Sequence, residues 1–190
     1  MSLIDLTIHG TAATVAENDQ MLVVLKEVNG ERILPIPTSS KRAMLLATRK
    51  MLPVPIPVPL SVADAMHLLF KKMDIRMNRV ELLAVKDGQF FSKLVAEKDG
   101  QEYSLDWCPA PDGLIIATTT NCRLCIEEEL LEAQYMRKVG ENAYALNISS
   151  VSRSMLEDAL QHAVDSENYE AASKLKAELD KRRHEDDLPF

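Results

Sequence analysis

The order of apolar and polar positions predicts a sheet at the start of the chain. Residues 3–8 alternate apolar and polar side chains, and residues 21–28 form a second, more apolar strand. Asn29 and Gly30 tolerate positive φ, which a tight hairpin turn requires. Residues 31–36 are therefore predicted to return antiparallel to the second strand.

Two helices are predicted next, separated by a stiff connection. Residues 39–52 place Ala43, Leu46, Ala47 and Met51 at helical intervals. Prolines at alternate positions from Pro53 to Pro59 then exclude both a helix and a strand ladder. Ser61 and Asp64 have the spacing of a capping box, which predicts that a second helix begins there and runs to about residue 73.

The middle of the chain returns to a strand pattern. Three runs, at residues 80–85, 89–96 and 102–105, are separated by Asp-Gly turns, so they predict a three-stranded antiparallel meander. Shorter elements follow. They are a helix at residues 114–118, a strand at 123–126 and a helix from 127 to about 137.

The last part of the chain predicts an antiparallel pair of helices. Ser154 and Glu157 have capping-box spacing, and the break at Asp165 and Ser166 is short. The apolar faces are predicted to comprise Leu156, Leu160 and Val164 on the first helix, and Tyr169, Ala172, Leu175 and Leu179 on the second. Roughly thirty residues bury little surface alone, so this pair should seek a partner.

These elements together predict an α+β fold with a mainly antiparallel sheet, flanking helices and a C-terminal α-helical hairpin. The predicted division is a domain at residues 1–139, a linker at 140–152 and the hairpin at 153–190. The open strand edges of the meander favour self-association, so a homo-oligomer is expected.

Composition narrows the class of protein. The 190 residues are 46% hydrophobic, which is enough for a packed core. No apolar run is long enough to span a membrane, and Asp5 interrupts the start of any secretory signal. Only three cysteines are present, which fits a reducing compartment. We therefore expect a cytoplasmic protein without a membrane partner.

Net charge limits how the chain can meet nucleic acid. The formal charge is −7, so tight binding to a polyanion by a broad basic surface is not expected. Basic residues do gather around the first two helices, where they fit either a phosphate-binding edge or solvated helix faces. They are Lys41, Arg42, Arg49 and Lys50, then Lys71, Lys72, Arg76 and Arg79.

Residues 21–36, MLVVLKEVNGERILPI, resemble the opening of the bifunctional nuclease family. Residues 86–95, KDGQFFSKLV, resemble its hairpin, and Asp106 falls where its second signature begins. The resemblance covers about residues 3–138 and implies hydrolysis of DNA or RNA with a divalent metal such as Mg²⁺ or Mn²⁺. Cys108 stands where the signature has an arginine, and residues 58–64 lack an arginine and a histidine of the family pattern.

The resemblance implies a small set of carboxylates as the site. Phosphodiester hydrolysis uses carboxylates to hold a metal, and Asp106 and Asp112 are the candidate catalytic residues and metal ligands, with Asp64 as a third ligand. A structural interpretation stays open, because aspartate is also common at strand ends, in turns and at helix caps.

Residues 160–175, LQHAVDSENYEAASKL, are similar to the UVR motif. That motif implies a helical hairpin that docks to other proteins, as between excision-repair subunits. The candidate partner-binding residues are Tyr169, Glu170, Ala171, Ala172 and Leu175.

Cysteine and histidine spacing gives little support to another metal site. Cys122 and Cys125 have C-x-x-C spacing, but a zinc site needs about four ligands and only Cys108 remains. We interpret the pair as half-buried thiols on a strand. The four histidines, His9, His67, His162 and His184, show no H-x-x-H spacing.

Two functions remain open from the sequence. One is a metal-assisted nuclease acting on DNA or RNA. The other is an oligomeric interaction protein, catalytically degenerate, that docks to repair or proteolysis partners through the UVR hairpin.

Overall fold

The computed structural model describes residues 2–13, 20–51, 61–138, 144–145, 148, 151 and 153–186. Within these residues the strands are β1 (Leu3–Ala13), β2 (Gln20–Glu27), β3 (Ile33–Ser39), β4 (Arg76–Lys86), β5 (Gln89–Lys98), β6 (Gln101–Pro109), β7 (Arg123–Glu127), β8 (Arg137–Lys138) and β9 (Tyr144–Ala145). The helices are α1 (Ser40–Met51), α2 (Val62–Lys72), α3 (Ala110–Thr120), α4 (Glu128–Gln134), α5 (Arg153–Asp165) and α6 (Tyr169–Asp186).

Seven strands form one sheet in the order β3-β2-β1-β7-β4-β5-β6. Every neighbouring pair is antiparallel except β4 and β7, which run parallel. The parallel pair arises because β7 returns from α3 and inserts between β1 and β4. The predicted α+β fold with a mainly antiparallel sheet is confirmed.

The core lies between the sheet and its helices. α1 packs on β1, β2 and β3, whereas α3 packs on β4 and β5 and is flanked by α1 and α2. Apolar side chains from both layers are fully buried there, including Leu25, Ile36, Leu46, Val80 and Leu114. Burial of this kind is the main favourable contribution to folding.

The predicted turns of the meander are confirmed, but the first hairpin differs. Asp87 and Gly88 have φ of 51° and 70°, and Asp99 and Gly100 have φ of 51° and 78°, as two-residue turns require. Gly30 is not among the positive-φ residues of the described chain. The β2–β3 connection covers residues 28–32 and is longer than a tight turn.

Helix starts follow the predicted chemistry at α2 but not elsewhere. Ser61 caps α2, because its Oγ accepts the Asp64 N–H at 3.3 Å and donates to the Asp64 carboxylate at 2.9 Å. α3 begins at Ala110, earlier than the predicted residue 114, since proline is well suited to a helix's first turn. Ser154 lies inside α5 and is not its cap.

The two C-terminal helices pack against each other as an antiparallel pair. Leu156, Ala163 and Leu179 are buried between them, but Val164 and Tyr169 are exposed, so the predicted apolar faces were wrong at those two positions. Arg182 is buried instead, and its guanidinium donates to the carbonyls of residues 148 and 151 at 2.9 and 2.8 Å.

Parts of the predicted linkers fall outside the described residues. The alternating prolines at 53–59 do so, as does most of the segment 140–152. Within the described part, β9 pairs with β8 across the predicted boundary at residue 139, and the boundary itself stays a prediction. No described helix combines the length and apolarity needed to cross a bilayer.

Candidate functional site

The first turns of three helices converge on one cleft of about 600 Å³, which we call the helix-termini cleft. The converging turns belong to α1, α2 and α3. The helix dipole gives each helix N-terminus a partial positive charge, so three together favour an anion. The polar rim consists of Ser39, Lys41, Arg42, Ser61 and Asp112.

The floor of this cleft is apolar. Leu45 of α1, Met66 of α2 and the pair Ile115 and Ile116 of α3 line it. These are the side chains through which the three helices pack on one another and on the sheet. The cleft therefore presents charged groups only at its rim.

Arg42 and Asp112 form a two-pronged ion pair at this rim. The guanidinium Nε donates to Oδ1 at 2.8 Å and Nη2 donates to Oδ2 at 3.0 Å. Both side chains remain partly exposed, so the pair is open to exchange with solvent anions. Because Arg42 neutralises Asp112, the ammonium group of Lys41 gives the rim a net positive charge.

Asp64 lies away from the rim. It is buried and forms an ion pair with Arg49 of α1, which is also buried. This pair ties the end of α1 to the start of α2 and so fixes the angle between two of the three helices. Arg49 is therefore not part of a solvated basic face.

Asp106 occupies a third position, on the outermost strand of the sheet. The carboxylate lies 3.8 Å from the Lys93 Nζ of the neighbouring strand. Asp64, Asp106 and Asp112 thus lie beside three different basic residues. Across the part of the chain that the structure describes, no group of three His, Cys, Asp or Glu side chains is arranged to hold a metal ion. A metal site stays a prediction.

The three cysteines are free thiols, and each is at least partly buried. Burial raises the pKa of Cys125 to about 11, and burial also raises the pKa of Cys122 and of Cys108. The negative charge of Asp112 also raises the pKa of Cys108, so Cys108 lies near the cleft rim. Cys122 is half-buried, whereas Cys125 on β7 is fully buried. The interpretation of C-x-x-C as half-buried strand thiols was therefore wrong in part, because Cys122 precedes β7 and Cys125 is fully buried.

The other predicted basic residues have different partners. Lys50 donates to the Ile8 and His9 carbonyls, at 2.9 Å each. Arg79 pairs with Glu81 and Glu102 on the sheet. Only Lys41 and Arg42 of the predicted set line the helix-termini cleft. Lys71 and Arg76 line a separate cleft of about 400 Å³ beside α2.

Sequence reasoning missed the two arginine pairs of the site. Arg42 and Asp112 are 70 residues apart in the chain, and no local pattern signals their contact. The signal available was the position of Arg42 in the first turn of one predicted helix and of Asp112 two residues before the start of another.

The predicted docking residues of the hairpin differ in exposure. Tyr169 and Glu170 are exposed at the start of α6, and Glu170 pairs with Lys174 at 2.7 Å. Ala172 is buried against α5, while Ala171 and Leu175 are half-buried. Tyr169 and Glu170 are thus the members of this set with most surface left for another molecule.

Comparison with known families matches residues 23–138 to the bifunctional nuclease domain. The match runs from β2 to β8 and includes all three helices of the cleft. A search of curated proteins gives no match. Because the family match covers more than half of the 190 residues, the chain belongs to the bifunctional nuclease domain family.

Proposed function

We propose that the chain binds the phosphodiester backbone of DNA or RNA at the helix-termini cleft and hydrolyses it there. The observation that supports this most is the convergence of three helix N-termini beside Lys41 and Arg42, in a member of the bifunctional nuclease family. Backbone N–H groups and these two cations are the donors that commonly bind phosphate.

Arg42 has a specific part in this proposal. Its planar fork fits phosphate as well as carboxylate, so an arriving phosphate competes with Asp112 for the same two N–H groups. Transfer of the fork to phosphate frees the Asp112 carboxylate beside the substrate. A free carboxylate there accepts a proton from water or serves as a ligand.

The oxygen donors of the rim suit Mg²⁺ or Mn²⁺, which needs only one or two protein carboxylates when phosphate supplies other ligands. Asp112 is the residue that would hold the ion, with the Ser39 and Ser61 hydroxyls on the same rim. A bound ion supplies charge neutralisation and an acidified water. Asp64 acts in the proposal by positioning α2 through Arg49.

The binding step is tested with the full chain and a fluorescent single-stranded oligonucleotide in EDTA. The Lys41→Ala, Arg42→Ala double variant should bind about tenfold more weakly at low salt, because two phosphate contacts are lost. The Lys174→Ala, Arg183→Ala double variant removes the same charge from exposed positions of α6. Equal affinity of the two double variants would exclude the cleft as the binding surface.

The hydrolytic step is tested with labelled DNA and RNA and added Mg²⁺ or Mn²⁺. Asp112→Asn should reduce cleavage by about 100-fold or more, the usual scale for losing a base or ligand. Asp106→Asn tests the second predicted carboxylate by itself. Asp106 lies on β6, beside Lys93 of β5. Cleavage that depends on Asp106 but not on Asp112 would move the site to the sheet, and no cleavage by wild type would refute hydrolysis.

A second proposed function is protein docking by the α5–α6 pair, with the UVR-like residues as the contact. The observation that favours it is Tyr169, which is 70% exposed at the start of α6. Exposed tyrosines are common anchors in interfaces. A photoreactive phenylalanine analogue at position 169 should cross-link a defined partner in cells, whereas the same analogue at position 174 should not. Equal labelling at both positions would count against docking by Tyr169.

A further inference from the structure

The two edges of the seven-stranded sheet differ in their protection against pairing with another strand. At the β3 edge, Pro35 and Pro37 have no N–H to offer another strand. The Met136 N–H also donates to the Ile33 carbonyl at 2.8 Å and covers that edge. The β3 edge is thus closed to further pairing.

Among the residues that the structure describes, nothing protects the β6 edge in these ways before the last residue of the strand. β6 (Gln101–Pro109) contains no lysine or arginine, and its only proline is Pro109. Tyr103, Leu105 and Trp107 are 54%, 62% and 59% exposed. Edge strands of monomeric proteins usually carry lysine, proline or a cover against pairing, so an open apolar edge indicates a strand partner.

The acidic side chains of β6 are already neutralised within the chain. Glu102 accepts from the Arg79 Nη1 at 2.6 Å and from the Asn78 amide at 2.8 Å. The Arg79 hydrogen bond lowers the pKa of Glu102. Asp106 lies 3.8 Å from Lys93. Two copies of this edge can therefore approach without opposing bare carboxylates.

Only part of β6 has regular strand geometry. Residues 101–105 pair in continuous register with β5, from Lys98 opposite Gln101 to Leu94 opposite Leu105. The register then shifts, and Trp107 has φ of 61°. A bulge of this kind bends the strand and ends regular pairing. The segment that can take a new strand is thus residues 101–105.

We propose that β6 pairs antiparallel with β6 of a second copy of this chain, about a twofold axis at Tyr103. This register opposes Tyr103 to Tyr103, Glu102 to Ser104 and Gln101 to Leu105, so it joins two aromatic rings and opposes no like charges. A shift to an axis at Ser104 opposes Glu102 to Asp106. The segment is therefore self-complementary in this register, as a twofold interface requires.

The test is the mass of the full chain in sedimentation over a range of micromolar concentrations. Wild type should form a dimer, and Tyr103→Lys should raise the dissociation constant at least about tenfold, because two ammonium groups then face each other across the axis. Leu69→Lys is the matched control, since Leu69 is equally exposed at 54% but lies on α2. It should leave the dimer unchanged.

Two further measurements separate this interface from the hairpin. Tyr169→Ala should not change the mass, and hydrogen exchange of the amides at residues 101–105 should slow as wild type associates. Circular dichroism verifies that each variant is folded. A monomeric wild type, a folded Tyr103→Lys variant that remains a dimer, or monomers produced by Tyr169→Ala would each overturn the proposal.

Discussion

Gly113 is the residue that lets α3 lie close to the sheet. A β-carbon built there falls 2.3 Å from the Ser92 Oγ and 3.2 Å from the Val80 Cγ1. Both neighbours are fully buried, so neither has free space to move into. Because Gly113 follows Asp112, this close approach also sets the height of the cleft carboxylate above the sheet.

Gly113→Ala should therefore destabilise the fold. We expect a loss of about 1–3 kcal/mol in the free energy of unfolding, the usual cost of overpacking a dense core. Urea unfolding followed by Trp107 fluorescence measures it. Gly10→Ala is the control, since nothing lies within 4 Å of a β-carbon there. Equal stability of the two variants would contradict the close-approach argument.

Some residue-level features of the site follow from the sequence and others do not. The Ser61 cap and the Asp-Gly turns were predictable because their chemistry is local to three or four residues. The buried Arg49–Asp64 pair was not, because lysine and arginine near a helix end normally indicate a solvated face. Only the packing of α1 on α2 makes that pair necessary.

At the scale of elements, one arginine joins the β2–β3 hairpin to α4. The Arg32 guanidinium donates to Glu27 at 2.7 Å and to Glu128 at 2.6 Å, and it also reaches Glu132 at 3.1 Å. The Glu27 side chain is only 10% exposed. The hydrogen bond from Arg32 lowers the pKa of Glu27, so the native state favours its ionised form.

Arg32→Met should cost about 2 kcal/mol of unfolding free energy at pH 7, because a mostly buried carboxylate loses its charged donor. A lowered native pKa stabilises the fold above the unfolded value of 4.5 and ceases to do so as pH falls through the native value. The difference between wild type and variant should therefore shrink below about pH 4.5. Urea titrations at several pH values measure it.

Lys26→Met provides the control for this network. Lys26 pairs with Glu31, whose side chain is 94% exposed, and such surface pairs contribute at most about 1 kcal/mol. An Arg32→Met variant no less stable than Lys26→Met, or a difference that does not depend on pH, would show that the network does not hold α4 to the hairpin.

Element types were predictable because periods of two and 3.6 residues differ clearly in this chain. The order of strands was not, since β7 inserts between β1 and β4 through contacts far apart in sequence. The cleft depends on that order. Its three helices meet because α1 and α3 lie side by side on the sheet and α2 packs against α3.

At the scale of the whole molecule, a net charge of −7 restricts any nucleic-acid contact to a local site. Of the basic residues around α1, Lys50 donates to backbone carbonyls and Arg49 is buried with Asp64. Lys41 and Arg42 line the cleft, where Arg42 is paired with Asp112 but partly exposed. Binding by two cations releases few counterions, whereas a broad basic surface releases many. The salt dependence of binding therefore distinguishes these two modes.

For single-stranded DNA, each neutralised phosphate contributes about −0.7 to the slope of log K against log salt concentration. Two cations predict a slope of roughly −1.4 for wild type. The Lys41→Ala, Arg42→Ala variant should give a slope near zero, and the charge-matched Lys174→Ala, Arg183→Ala variant should keep the wild-type value. A wild-type slope steeper than about −4 would require a basic surface beyond the cleft, and would contradict local binding.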